Sequence, residues 1–286
     1  MGTTDPRGGE PNIEMVVRAH QALRERTPLV QCLTNGVTVN LVANALLAAG
    51  ATPAMVDNPE EAGAFAATAD AVLINLGTPA ADQVKAMHRA AAGAAAEGKP
   101  WVLDPIGAGA MRWRHDLALA LLSHRPTVIR GNASEIIGLA GQAPGGRGVD
   151  SQHTPQSAVS AARELLSHAC AISASGPMDT LIGPQIEREG CHTAQVDIGG
   201  GSTLQPRVSG TGCALGAIVA AYCAVVRDPL QAAMAAHVHV AVAAELAEAQ
   251  ASGPGSFATA WLDALDQVDG RLLRQRGLIS IRLLES

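Results

Sequence analysis

The stretch AVLINLGTPAADQVKAMHRAAAGAAAEGKPWVLDP, residues 71–105, contains the alternation that decides the fold. It begins with a short β-prone run, AVLINLG, and continues with an alanine-rich helical segment, ADQVKAMHRAAAGAAAEG. It ends with a second β-prone run, PWVLDP. A strand, a helix and a strand in this order predict two parallel strands joined by a right-handed helical crossover.

The same alternation continues on both sides of this stretch. Strand-like runs are PLVQCL (28–33), TPAMV (52–56), TVIRG (127–131) and CAISASG (170–176). Helical runs are VNLVANALLAAG (39–50), PEEAGAFAAT (59–68), RWRHDLALALLSH (112–124), NASEIIGLAG (132–141) and SAVSAARELLSHA (157–169). The repeated pattern predicts an α/β fold with a mostly parallel central sheet that is covered by helices on both faces.

The last third of the chain has a different pattern. Two shorter strand-like pieces, TLIG (180–183) and HTAQV (192–196), are followed by helical runs at 213–226, 229–250 and 257–274. The glycine-rich stretch 141–150 has no apolar periodicity and predicts a flexible connection. We predict a tail and a first helix over residues 1–27, and a single domain over 28–286, because no linker divides the remainder.

Composition and charge limit the classes of partner. The chain has 286 residues, of which 48% are hydrophobic and 16% charged, so it can bury a large core. A formal net charge of -6 and the lack of a basic stripe argue against a general nucleic-acid binder. The apolar run 213–226 is shorter than the about 20 residues that cross a membrane. We therefore expect a small-molecule partner and no membrane span.

The five cysteines indicate a reducing compartment. Their number is odd and they show no CxxC spacing, which disfavours both a disulfide framework and a zinc site. We therefore expect a cytoplasmic protein. Cys32, Cys170 and Cys223 lie in apolar runs and are predicted to be core residues.

Several polar and small residues follow the predicted strands directly. In a parallel α/β sheet the functional loops lie at the carboxyl ends of the strands. The sequence therefore predicts that one group of residues lies near one edge of the molecule and shares a site: Asn35, Met55, Asp57, Asn75, Gly77, Asp104 and Gly131.

The stretch VSGTGCALGA, residues 208–217, places a glycine turn before an apolar helix. Gly210 and Gly212 allow a sharp turn and a close approach to a ligand, and free N–H groups at the helix start favour an anion. The turn predicts a phosphate site, and the alternative is a turn needed only for packing. The helix dipole predicts a lowered pKa and a thiolate for Cys213. The alternative is a small buried residue.

Two carboxylates and an arginine follow buried-looking strands. Asp104 ends the strand in VLDPIGAGA, Arg130 lies in TVIRG, and Glu135 lies in the first turns of a helix capped near Asn132 or Ser134. Carboxylates suit a magnesium site and the arginine would offset phosphate charge. The alternative is that Asp104 braces its own loop and Glu135 forms a capping box with Asn132.

Other motifs exclude competing chemistry. His237 and His239 are two apart on a predicted helix, so they point to different faces and are interpreted as ordinary helix histidines rather than a metal pair. The sequence lacks Gly-x-Ser-x-Gly, which removes the simplest hydrolase interpretation. No G-x-G-x-x-G fingerprint follows the first strand, which disfavours a nicotinamide enzyme.

Taken together and in this order, five stretches resemble the hydroxyethylthiazole kinases, a family of the ribokinase-like superfamily. They are CLTNGVTVNLVANALLAAGATPAMVDNPEEA (32–62), VLDPIGAGA (102–110), VIRGNASEIIGLAG (128–141), ISASGPMD (172–179) and SGTGCALGAIVAA (209–221). The resemblance implies a ribokinase-like fold. It also implies ATP- and Mg²⁺-dependent phosphorylation of the hydroxyethyl group of 4-methyl-5-(2-hydroxyethyl)thiazole, in thiamine biosynthesis or salvage.

The resemblance also assigns residues to the alcohol end of the site. It implies that Cys213, where other ribokinase-like enzymes have an aspartate, faces the alcohol, and that Gly210 lies beside the thiazole. Met55 and Asn35 match residues of the thiazole pocket. Many family members have a histidine in the region of Asp57, so this chain differs near the substrate.

At the nucleotide end, the resemblance assigns Arg130 and Ser175 to ATP and gives the amide of Gly212 to the transferring phosphoryl group. It implies that Asp104 and Glu135 organise Mg²⁺. The family is usually a homotrimer with thiazole pockets between subunits. Residues 32–62 are therefore expected to complete a site on the neighbouring chain.

Three other functions share parts of this pattern. One is a vitamin kinase of the same fold, acting on hydroxymethylpyrimidine or pyridoxal. Another is a repair dehydratase acting on hydrated nicotinamide nucleotides. Both would normally keep an aspartate where this chain has Cys213. The third is a non-catalytic sensor, which the presence of Asp104, Arg130 and Glu135 makes less attractive.

Overall fold

The computed structural model describes residues 12–141, 158–187 and 190–284. Within these ranges nine strands form one sheet. In chain order they are β1 (Leu29–Leu33), β2 (Thr52–Ala54), β3 (Ala71–Asn75), β4 (Trp101–Asp104), β5 (Val128–Asn132), β6 (Ala171–Ser175), β7 (Asp179–Glu187), β8 (Gly190–Gly199) and β9 (Leu278–Leu284).

Helices cover both faces of this sheet. They are α1 (Ile13–Arg26), α2 (Val39–Ala49), α3 (Ala62–Thr68), α4 (Ala81–Ala96), α5 (Arg112–Leu122), α6 (Ala133–Leu139), α7 (Val159–Leu165), α8 (Thr211–Val225), α9 (Pro229–Glu248), α10 (Pro254–Gln267) and α11 (Gly270–Arg276). One hydrophobic cluster lies under α1, α2 and α8–α11, and a second lies under α3–α7. The predicted α/β class with two covered faces is confirmed.

The parallel half of the sheet sets the position of the polar residues. The spatial order is β2-β1-β3-β4-β5-β6-β7-β8-β9, and the pairs from β2 to β6 are parallel. Asn75 lies opposite Asp104, and Asn132 lies opposite Ser175. Because these strands run in one direction, their last residues meet at one edge of the sheet.

The other half of the sheet is antiparallel and longer than the sequence predicted. β7 and β8 form a long hairpin, and β9 pairs with β8. The strand β9 was not predicted, although residues 278–284 read LISIRLL, and exposed and partly buried residues alternate over most of the strand. The single helical run predicted over 257–274 is wrong. It breaks into α10 and α11, where the Asp269 side chain accepts from Leu272 N and caps the second helix.

The first helix belongs to the main hydrophobic core. Met15, Val16 and Leu23 of α1 are buried in the same cluster as α8 and α9. Residues 1–11 and most of the glycine-rich stretch 141–150 lie outside the described residues, so the predicted tail and flexible connection there stay predictions. The division at residue 27 also stays a prediction.

Helix α9 has the length and apolarity of a membrane span, and it is the only such helix in the part of the chain that the structure describes. Most of its apolar window, 78%, is buried inside the protein, where it contacts α8 and α10. This is the position of a core helix. The prediction that Cys170 is a core residue is wrong: Cys170 is exposed, because it lies just before β6 begins at Ala171.

Candidate active site

Side chains at the ends of three neighbouring strands form a continuous set of hydrogen bonds. Asn35 follows β1, while Asn75 and Asp104 are the last residues of β3 and β4. Asn35 Nδ2 donates to Asn75 Oδ1 at 3.2 Å, and Asn75 Nδ2 donates to Asp104 Oδ2 at 2.8 Å. Asn35 Oδ1 accepts from Thr38 N at 3.2 Å, which leaves its amide nitrogen to face the site.

Cys213 lies at the first turn of α8 and joins this set. Asn35 Nδ2 donates to Cys213 Sγ at 3.5 Å. Burial raises the pKa of the Cys213 thiol, and the negative charge of Asp104 raises it further. The prediction of a lowered pKa and a thiolate is therefore wrong, because burial removes the thiol from water and disfavours its charged form. Cys213 faces the site as a neutral thiol.

The turn before α8 is shaped for a backbone approach. Gly210 has φ of 97°, in the left-handed region that favours glycine, and a Cβ there would lie 2.8 Å from Thr38 Cγ2. The Ala214 N–H donates to the Gly210 carbonyl oxygen at 2.8 Å. The N–H groups of residues 211–213 precede that bond and point out of the helix N-terminus. Such groups bind anions.

Arg130 lies against this turn and joins the set through an ion pair with Asp104 and a hydrogen bond to Ser175. A Cβ at Gly212 would lie 3.1 Å from Arg130 Nη1, so a glycine allows the guanidinium to approach the turn. Arg130 Nη2 donates to Ser175 Oγ at 2.9 Å, and Nη1 lies 3.6 Å from Asp104 Oδ2. Its buried Nε has no hydrogen-bond partner among the described residues. The guanidinium therefore retains capacity for an anion.

We call these linked residues the polar chain: Cys213, Asn35, Asn75, Asp104, Arg130 and Ser175. Asp104 is its central carboxylate and is fully buried. Burial raises the pKa of Asp104 to about 7, although the charge of Arg130 opposes this shift. Asp104 Oδ1 is buried and has no hydrogen-bond partner within the described ranges. An open carboxylate oxygen at this depth is costly unless a ligand uses it.

Glu135 has a different environment from Asp104. Its Oε2 accepts from Asn132 N at 2.8 Å, which completes a capping box at the start of α6, and its Oε1 accepts from Gly107 N at 3.1 Å. Burial raises the pKa of Glu135, while these backbone donors lower it. Glu135 thus ties the loop after β4 to α6, and the capping alternative seen in the sequence is present.

Not every predicted site residue belongs to the polar chain. Met55 follows β2 at the outer edge of the sheet, where it packs, partly buried, against the main hydrophobic cluster. No group of three or more His, Cys, Asp and Glu side chains could hold a metal ion in the described ranges. Asn75 was predicted to lie at this edge, but its position as the link between Asn35 and Asp104 was not, because it depends on β3 lying between β1 and β4.

A model of the hydroxyethylthiazole kinase family matches residues 20–271. The chain belongs to this family. The hydroxyethylthiazole kinase of Rhodococcus erythropolis is 52% identical to it over 269 residues, which cover 94% of each chain. That of Kineococcus radiotolerans is 54% identical over 258 residues, which cover 90% of each chain. As a member of the hydroxyethylthiazole kinase family, the protein is a kinase. The family membership indicated by the sequence motifs is confirmed.

Solved structures confirm the ribokinase-like fold. The hydroxyethylthiazole kinase family protein of Pyrococcus horikoshii superposes with a TM-score of 0.81 at 35% identity, covering 95% of this chain and 100% of that one. The pyridoxal kinase of Staphylococcus aureus, in complex with AMP-PCP and pyridoxal, gives a TM-score of 0.62 at 13% identity, covering 90% and 99%. The second likeness concerns the fold alone.

Proposed function

We propose that this hydroxyethylthiazole kinase family protein transfers the γ-phosphoryl group of ATP to the hydroxyl of 4-methyl-5-(2-hydroxyethyl)thiazole, in thiamine salvage. The observation that carries the proposal is the junction of three groups: the open N–H groups before Ala214, the guanidinium of Arg130 and the spare oxygen of Asp104. Phosphoryl transfer depends chiefly on alignment and charge neutralisation, which these groups can provide.

The nucleotide end of the proposed site is built around Arg130. Its guanidinium lies beside Gly212 and donates to Ser175, so one cation can contact phosphate oxygens while its orientation is fixed. The amide of Gly212 would donate to the transferring group. Ser175 would contact the nucleotide directly and also hold Arg130 in place.

The carboxylates fit a Mg²⁺ ion in part. Mg²⁺ prefers oxygen ligands and keeps several waters, so a site needs only one or two carboxylates together with nucleotide oxygens. Asp104 Oδ1, buried and without a partner in the described residues, would hold the ion. Glu135, whose two oxygens already accept N–H groups, would organise the site by holding the Gly107 loop. When bound, Mg²⁺ would neutralise phosphate charge.

At the alcohol end, Cys213 would position the substrate hydroxyl. Asn35 donates to Cys213 Sγ and so sets where the thiol lies. Burial raises the pKa of Cys213, so little thiolate is present near neutral pH to accept a proton. The alcohol proton would therefore pass to an oxygen of the transferring phosphoryl group as the new O–P bond forms, rather than to a preformed thiolate. Gly210 would pack beside the thiazole ring and Asn35 would line its pocket.

The remaining parts of the proposal are the homotrimer and the cytoplasm. Val37 and Leu47 are 73% and 58% exposed, and they lie in the 32–62 segment expected at the subunit interface. Large apolar side chains on a surface favour contact with another chain. Met55 would then complete the pocket of a neighbouring subunit. The free thiols Cys32, Cys170, Cys213 and Cys223 fit a reducing compartment.

A substrate panel tests the activity. ATP consumption with Mg²⁺ would be measured with the thiazole alcohol, hydroxymethylpyrimidine, pyridoxal and a hydrated nicotinamide nucleotide, and each product would be identified by mass. We expect kcat/KM for the thiazole alcohol to exceed the others by at least about tenfold. A preference for another substrate would identify a different ribokinase-like enzyme. Binding without turnover of any compound would identify a sensor.

A mixing experiment tests the shared pocket. Met55→Arg would damage the thiazole side and Asp104→Asn the phosphate side, so each variant alone should be nearly inactive. After the two are unfolded and refolded together, hybrid trimers should regain activity, because some pockets combine two intact sides. Activity that stays at the level of the separate variants would contradict a pocket between subunits.

A further inference from the structure

A buried hydrogen-bond relay lies next to the nucleotide end of the site. Ser173 Oγ lies 2.7 Å from His237 Nε2, and His237 Nδ1 lies 2.6 Å from Asp179 Oδ2. Ser173 belongs to β6, His237 to α9, and Asp179 is the first residue of β7. Because Asp179 Oδ2 accepts, His237 Nδ1 carries the hydrogen and donates.

The order serine, histidine and aspartate resembles a hydrolase triad, but in a hydrolase the serine must be accessible to the substrate. Ser173 is fully buried in the sheet beneath α9, so its hydroxyl has no open side for a substrate. A nucleophile must face the group that it attacks. The relay therefore has a different role, and its solvent-facing end indicates which.

The outer end of the relay holds the turn between β6 and β7. Asp179 Oδ1 accepts from Gly176 N at 2.9 Å, which closes the turn that follows Ser175. Gly176, Pro177 and Met178 are exposed, so packing does little to fix this turn. Ser175 in turn accepts from Arg130 Nη2. A continuous path thus runs from α9 to the guanidinium at the phosphate turn.

We propose that His237 is a positioning residue for the nucleotide site. By donating to Asp179 it fixes the turn 175–179, and the turn holds Ser175 against Arg130 so that both meet the nucleotide in one geometry. This inference rests on the proposed function, because it assigns ATP to Arg130 and Ser175. It extends that function to a side chain in the core that touches no substrate.

Two amide variants, each replacing one ring nitrogen of His237, separate an effect on nucleotide binding from an effect on stability. In His237→Asn, the amide nitrogen takes the place of Nδ1 and still donates to Asp179, while the contact with Ser173 is lost. In His237→Gln, the amide takes the place of Nε2 and still reaches Ser173, while the donor to Asp179 is lost. Each variant loses one buried hydrogen bond, so their unfolding free energies should fall by similar amounts.

Their nucleotide affinities should differ. We expect His237→Gln to raise KM for ATP, and the Kd of a non-hydrolysable ATP analogue measured by calorimetry, by about tenfold, the effect of one lost hydrogen bond. His237→Asn should stay within about twofold of the unchanged protein. KM for the alcohol should not change in either variant. Equal Kd values for the two variants would overturn the proposal.

Matched controls exclude indirect effects. His239 lies on the same helix as His237, and His239→Gln removes its buried contact with Tyr222 of α8, away from the turn. Ser173→Ala removes the inner end of the relay. Both should lose stability and keep the Kd for the analogue. Asp179→Ala removes the same His237–Asp179 contact from its partly exposed side. This variant should raise the Kd of the analogue even if His237→Gln does not fold. In the double variant the increase should not exceed that of Asp179→Ala alone, because Asp179→Ala already removes the contact with His237 together with the one to Gly176 N.

The failure of this inference and that of the proposed function are distinguishable. If the unchanged protein phosphorylates no thiazole alcohol, the proposed function fails whatever the variants do. If it does so and Asp179→Ala leaves the Kd of the analogue unchanged, the activity stands and the positioning role of His237 is wrong.

Discussion

Asp104 and Asp197 are buried carboxylates on the same sheet, and their surroundings differ. Asp197, on β8, accepts from Thr180 Oγ1 at 2.7 Å, from Gln195 Nε2 at 2.9 and 3.0 Å, and from Arg282. Asp104, on β4, accepts from Asn75, and its Oδ1 has no partner among the residues described. A carboxylate with saturated oxygens stabilises the fold, whereas one with a spare buried oxygen indicates a ligand.

The largest expected effect follows from removing the charge of Asp104. Asp104→Asn keeps the side-chain shape, and we expect kcat to fall roughly 10²–10³-fold, as for other preorganised charges at a reacting centre. Since burial raises the pKa of Asp104, the charge is unfavourable in the fold, and the free energy of unfolding should fall by less than about 1 kcal/mol. Steady-state kinetics and urea unfolding check both values. A kcat near that of the unchanged protein would contradict the account.

Arg130→Lys tests the second group with spare capacity. Lysine keeps the charge but loses the planar set of donors that reaches both Ser175 and the phosphate turn. We expect kcat/KM for ATP to fall about 10–100-fold, the size of one lost charge-assisted hydrogen bond. KM for the alcohol is the internal control. If the alcohol KM rises instead, Arg130 belongs to the other end of the site.

Asp197→Asn should give the opposite result to Asp104→Asn. The amide keeps one acceptor but places a donor against Gln195 or Arg282, so the free energy of unfolding should fall by about 1–3 kcal/mol. kcat and both KM values should not change, because the cluster lies in the antiparallel half of the sheet. A loss of kcat without a loss of stability would break the comparison between the two carboxylates.

Cys213→Ser has a smaller expected effect. If the neutral thiol only positions the alcohol, a hydroxyl should replace it with a loss in kcat of less than about tenfold. The plot of kcat against pH should rise and fall at the same pH values in both proteins. An alkaline limb that moves or disappears in the serine variant would show that Cys213 titrates during catalysis.

His239 is a buried group with both polar atoms satisfied, like Asp197: its ring nitrogens contact Tyr222 and the Leu265 carbonyl. Its effect on stability should depend on pH. Burial lowers the pKa of His239 to about 3, so below pH ~6.5 the unfolded state binds a proton that the folded state does not. Stability should therefore fall as pH falls from about 6.5 to about 3. His239→Gln should reduce this slope by up to about 1.4 kcal/mol per pH unit, measured by urea unfolding. An unchanged slope would contradict a neutral buried His239.

The sequence predicted the parallel half of the fold better than the antiparallel half. Runs such as AVLINLG and PWVLDP are short, apolar and separated by helical segments, so their order alone implies parallel crossovers. In contrast, β9 is half exposed and follows a basic helix end. The break between α10 and α11 carried a readable signal, since Asp269 before Gly270 is a favourable helix cap.

Site prediction failed where the outcome depended on burial or on sheet order. The prediction of a thiolate at Cys213 considered the helix dipole, but it did not include burial and the nearby Asp104, which both raise the pKa. Asn75 could be placed at the edge but not between Asn35 and Asp104, because strand order is not local information. The two histidines of α9 do point to different faces, but the partners of His237 on β6 and β7 cannot be seen from helical spacing.

The most direct test of the account is a crystal structure with Mg²⁺ and a non-hydrolysable ATP analogue. We expect the terminal phosphate to accept hydrogen bonds from backbone N–H groups of residues 211–213 and from Arg130, with the ion against Asp104. A terminal phosphate bound away from this turn would contradict the central claim that phosphoryl transfer takes place at the start of α8.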